Sequence, residues 1–113
     1  MSKLKIASYN VEWMTKLFNG TKAEFYVGPS LKGGLGAKPK DCQKVARKIA
    51  NVIEGLDAHI VGILEGPPRK KQMVLFVNDY LNNRYQVYSM ENGSQSVHAL
   101  VRDDWPHPGR TNW

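Results

Sequence analysis

The twelve residues Gly55-Leu-Asp-Ala-His-Ile-Val-Gly-Ile-Leu-Glu-Gly66 constrain this chain more than any other stretch. Ile60, Val61, Ile63 and Leu64 form an almost unbroken apolar run, whereas a strand with one wet face alternates with polar residues. The run therefore predicts a short strand buried on both sides. It closes on a carboxylate. Open α/β sheets bind ligands outside the carboxyl ends of their strands, so Glu65 is the first candidate for chemistry. A second apolar strand is expected over Leu4 to Glu12. Alternation puts Leu4, Ile6, Ser8, Asn10 and Glu12 on one face, which grows more polar towards its end. Asn10 there is either a strand-end asparagine bonding nearby backbone or a member of a site.

The chain between these strands decides how they pair. Asp41 is placed to cap a helix of about 14 residues, with Val45, Ile49, Val52, Ile53 and Leu56 at spacings of three and four marking its buried face, and Gly55 suits its C-terminal end. Strand, helical crossover and strand make a βαβ unit with parallel strands. Parallel neighbours carry their carboxyl ends on the same side, so Asn10 and Glu65 face one crevice although 55 positions separate them. Residues 15–40 show no period and contain Gly20, Gly28, Gly33, Gly34 and Gly36, which predicts a long loop. Its Lys16, Lys22, Lys32, Lys38 and Lys40 make it a candidate contact for a phosphate backbone. It is not a nucleotide-binding P-loop, because Gly28-Pro-Ser-Leu-Lys-Gly33 is followed by glycine in place of Lys-Ser/Thr.

After Glu65, Gly66-Pro67-Pro68 ends the strand and brings Arg69, Lys70 and Lys71 beside the expected crevice, either to hold phosphates or as a solvated helix start. A helix follows over about Lys71 to Asn82, with Met73, Phe76, Val77, Tyr80 and Leu81 inward. Tyr85 to Met90 and Gln95 to Arg102 read as strands joined by a turn at Asn92-Gly93. The elements sum to an α/β fold with a mixed sheet and two helices. The tail, residues 103–113, is expected to be irregular and to hold His107 in a loop. His59 falls at the start of a strand and His98 inside one, and no His, Cys or acidic cluster at ligand spacing supports zinc.

A chain of 113 residues is expected to form a single domain. The net charge of +6 is unevenly spread: residues 1–56 carry ten Lys or Arg against four acids, and residues 57–113 six against six. A basic half favours a polyanionic partner without naming it. No apolar run approaches the ~20 residues of a membrane span, and the N-terminus lacks the apolar core of a secretion signal. With the single Cys42 this gives the expectation of a cytoplasmic, intracellular protein.

Three stretches carry a family resemblance: Lys5-Ile-Ala-Ser-Tyr-Asn-Val11, Leu56-Asp-Ala-His-Ile-Val-Gly-Ile-Leu-Glu65 and Ser96-Val-His-Ala-Leu-Val-Arg102. They resemble the first three signature strands of the endonuclease/exonuclease/phosphatase superfamily, the deoxyribonuclease-I-like fold. The resemblance implies one half of a four-layer α/β sandwich, with both helices on one face of the sheet. It implies a magnesium- or manganese-dependent phosphodiester hydrolase in which the residue matched by Glu65 ligates the cation and that matched by Asn10 orients metal and phosphate. Glu12, two residues past Asn10, is a candidate outer-shell carboxylate.

The resemblance covers only the N-terminal half of such a domain. The Gly-Asp-Phe-Asn-like motif and the closing Asp-His pair of the second half do not occur in this sequence. Asp104 and His107, separated by Trp105 and Pro106, do not replace them. Three functions are therefore expected in turn. The first is an incomplete or truncated nuclease-like hydrolase. The second is a non-catalytic module binding nucleic acid or another phosphate-rich partner. The third is an interaction module whose exposed sheet face takes a second half-domain or another copy.

Overall fold

The computed structural model describes residues 4–12, 14–30, 38–39, 41–93 and 95–104. The basic loop residues 31–37 and Lys40, and the tail from 105 with His107, lie outside the described residues. The elements run β1 (Ile6–Asn10), a 3₁₀ turn (Met14–Leu17), α1 (Cys42–Leu56), β2 (Ile60–Gly66), α2 (Lys70–Tyr80), β3 (Tyr85–Met90) and β4 (Ser96–Arg102). The four strands form one mixed sheet in the order β1-β2-β4-β3. β1 pairs parallel with β2, Ile6 opposite Ile60 and Asn10 opposite Leu64, while β4 runs antiparallel to both β2 and β3.

Both helices pack on the same face of this sheet. Ile49 and Ile53 of α1 and Met73, Phe76 and Val77 of α2 join Val61 and Ile63 of β2, Val87 of β3 and Leu100 of β4 in one apolar core. α1 starts where its sequence says it should, with the Asp41 carboxylate accepting from the Lys44 N–H at 3.0 Å. Its buried stripe is Cys42, Ala46, Ile49, Ala50 and Ile53, and Val52 points to solvent. Ala46 and Ala50 in this stripe are fully buried, small residues that a search for large apolar ones passes over.

Two further expectations change. Residues 15–40 are expected as loop, yet Leu17 and Phe18 are core, and Phe18 bridges to Phe25 with their rings stacked 4.9 Å apart. The side chain of Gln72 fixes the loop to α2, donating to the carbonyls of Gly20 and Lys22 at 2.8 and 3.0 Å. β2, expected to be buried on both sides, is buried on one: Val61 and Ile63 are covered, while Leu64 is 42% exposed. The face away from the helices turns Ile6, Leu64, Tyr88, Met90 and Val97 outward. The regularly paired strand positions on that side carry no Lys, Arg, Asp or Glu.

Among the described residues no helix is long and apolar enough to cross a membrane.

Candidate functional site

The site is built at the carboxyl ends of β1 and β2. Asn10 is the last residue of β1 and faces Leu64, so Glu65 follows one step beyond the paired register. Strict alternation would send Glu65 to the helix side. A bulge prevents this: Ile63 pairs with His98 and Gly66 with Ser96, leaving Leu64 and Glu65 together opposite the single residue Val97. Glu65 takes up the extra length in a left-handed conformation, φ 57°. A bulge of this kind re-aims a side chain, and a non-glycine residue at positive φ costs on the order of 1–3 kcal/mol that its surroundings must offset.

The re-aimed carboxylate meets Asn10. The Asn10 side-chain N–H donates to Glu65 Oε2, and its Oδ1 accepts from the backbone N–H of Glu12 at 2.9 Å. The second bond fixes which way the amide faces, because an N–H pointing at Glu12 would meet another donor. Asn10 thus does both jobs open to it, closing a turn with one atom and holding the carboxylate with the other. Gln95 donates to Glu65 Oε1 at a longer 3.3 Å. Each carboxylate oxygen therefore has a neutral amide on one lone pair, and a carboxylate has about four such positions in all.

The other expected residues are less closely drawn in. β1 ends at Asn10, and Glu12 sits in a turn at φ 40°, exposed, touching the site through its backbone N–H. Arg69 folds back to donate to the Pro68 carbonyl at 3.2 Å, and Lys70 and Lys71 are exposed on the first turn of α2. That helix start is already occupied by an anion: the Glu91 carboxylate accepts from the Lys70 N–H at 2.8 Å, where a phosphate would compete with it.

Glu65 suits a magnesium or manganese ion as a single direct ligand, since hard cations of this size keep several waters and commonly use one or two carboxylates with substrate phosphate. Among the described residues there is no group of three or more His, Cys, Asp or Glu able to form an all-protein cage. Gln95 was missed by sequence reading. It stands one residue ahead of β4, and its approach to Glu65 depends on the bulge, which no local pattern announces.

Comparison with protein-family models, with curated proteins and with solved structures finds no match to this chain.

Proposed function

We propose that the carboxyl end of β1 and β2 is the cation-binding half of a divalent-metal-dependent phosphodiester hydrolase site, nuclease-like and incomplete as a catalyst. The observation that carries this reading is the meeting of Asn10 and Glu65, 55 positions apart, at the bulged end of two parallel strands. Glu65 would hold magnesium or manganese. Asn10 holds the carboxylate from one side and Gln95 from the other, so its free lone pairs face a bound ion. The ion supplies stabilisation of charge on phosphoryl oxygens. The excess of Lys and Arg in residues 1–56 raises the local concentration of a phosphodiester substrate. No Asp-His dipeptide, of the kind that would act on water or phosphate, occurs among these 113 residues, which supports reading them as one half of such a site. The lone buried thiol of Cys42 suits a cytoplasmic setting.

Two other readings have their own support. Without the Asp-His pair, the same residues serve a module that binds nucleic acid or another phosphate-rich partner without cutting it. The uncharged outer face, with Ile6 65% and Met90 75% exposed, favours an interaction module with a second half-domain or another copy as its partner.

The test is a magnesium titration with labelled DNA and RNA oligonucleotides, comparing the chain with Glu65→Ala and with a chelator control. The expected result is oligonucleotide binding that strengthens with magnesium through Glu65, without cleavage. Magnesium-dependent cleavage that disappears in Glu65→Ala would overturn the incompleteness and leave the hydrolase. Binding indifferent to magnesium and to Glu65, with no cleavage, would overturn the cation site.

A further inference from the structure

Behind Glu65, the bulge is followed by Gly66, Pro67 and Pro68. Two consecutive prolines bring no N–H, so Pro67 and Pro68 can be anchored only through their carbonyls, by donors from elsewhere. Two buried polar side chains of β4 supply them. His98, fully buried, has Nε2 2.8 Å from the Pro67 carbonyl and Nδ1 2.6 Å from Ser89 Oγ. A carbonyl only accepts, so Nε2 carries the hydrogen and the Ser89 hydroxyl donates to Nδ1. Ser96 Oγ donates to the Pro68 carbonyl at 3.0 Å and accepts from the Asn92 N–H at 2.9 Å.

The placement of this pair ties it to the site. His98 pairs with Ile63 just before the bulge, and Ser96 with Gly66 just after it. The two donors bracket the two residues that break register. Gly66 completes the arrangement: a Cβ there would lie 2.6 Å from Cδ2 of the His98 ring, so the imidazole occupies the space that any other residue would need.

We infer that His98 and Ser96 are positioning residues for Glu65, clamping the Pro67 and Pro68 carbonyls so that the left-handed bulge presents the carboxylate to Asn10 and Gln95. The inference rests on Glu65 being the working carboxylate of the proposed site, but its structural content is independent of any metal. The strain at Glu65 persists because both ends of the bulge are fixed, and release of one end lets the backbone relax and the carboxylate leave Asn10.

The side-chain amide resonances of Asn10 in a ¹H–¹⁵N spectrum report the contact directly, with Glu65→Ala giving the position they take when it is lost. His98→Leu keeps bulk and removes the donor, whereas His98→Gln retains an amide N–H near the position of Nε2. The expected result is that folded His98→Leu moves the Asn10 resonances to their Glu65→Ala position, while His98→Gln restores them. A folded His98→Leu protein with wild-type Asn10 resonances would overturn the clamp. Should His98→Leu fail to fold, Ser96→Ala decides: a shift of the same resonances towards the Glu65→Ala position supports the clamp, and no shift overturns it. Manganese added to the wild-type sample separates the two claims, since a chain that binds no cation ends the metal reading and leaves the amide result standing.

Discussion

The sheet carries carboxylates at both of its ends, and they are treated differently. At the end where β2 begins, Asp57 and Asp104 share Arg102, whose Nη1 and Nε each donate at 2.7 Å. The hydrogen bond and charge of Arg102 hold the Asp104 carboxyl below its ordinary range, and the Arg102 guanidinium is pushed up in turn, first by Asp104 and then by Asp57. Glu65, where β2 ends, has neutral amides as its partners among the described residues. Both Asp57 and Glu65 stand on left-handed backbone, φ 47° and 57°. For Asp57 this is the ordinary close of α1, since aspartate tolerates that region and its N–H bonds the Glu54 carbonyl. For Glu65 it is a bulge inside a sheet. The Asp57 and Asp104 carboxylates are matched by a guanidinium, whereas the described partners of Glu65 are neutral amides, and the proposed cation site rests on this difference.

This contrast can be broken experimentally, and the largest effect is expected at Asn10. Asn10→Ala removes the amide that orients Glu65 and should weaken manganese binding by roughly 10- to 100-fold, the usual loss when an outer partner of a metal ligand is deleted, as read by calorimetric titration. Gly66→Ala drives a Cβ into a buried ring held at both nitrogens, and should destabilise the fold by about 1–3 kcal/mol in a urea melt, as overpacking does. A Gly66→Ala protein as stable as wild type would mean that the His98 ring is free to shift.

A smaller effect is expected from acid. Burial lowers the pKa of His98, partly offset by its bond to Pro67 and by Glu91. The unfolded chain therefore takes up a proton near pH 6.5 that the folded chain resists, so the contribution of His98 to stability is intact above about 6.5 and lost as pH falls below it. The difference in stability between wild type and His98→Gln should be flat above that pH and shrink or reverse beneath it. Arg102→Ala should have the least effect, under about 1 kcal/mol, because its partners are largely exposed (Asp57 80% and Asp104 63%), and it should leave cation binding unchanged.

Much of this arrangement was legible in the chain. Apolar spacing and the Asn92-Gly93 turn mark both helices and all four strands, and the parallel pairing implied by a helical crossover puts Asn10 and Glu65 at one end. What stayed hidden depends on side chains acting across the sheet. Nothing local to Leu64-Glu65 signals a bulge, because the extra residue is defined only against Val97. Gln95 and His98 find their partners through that register. Leu17 and Phe18 show no period because a four-residue 3₁₀ turn and the single bridge that follows it are too short for one, and Ala46 and Ala50 are passed over because small residues carry little weight in an apolar pattern.

The most direct measurement of the central claim is a manganese titration of the ¹⁵N-labelled chain, followed by paramagnetic broadening of its amide resonances. The account expects the signals of Asn10, Glu65 and Gln95 to broaden first, those of Asp57 and Asp104 to stay sharp at the same concentration, and the broadening to vanish in Glu65→Gln. Broadening that begins at Asp57 and Asp104, or that survives Glu65→Gln, would contradict it.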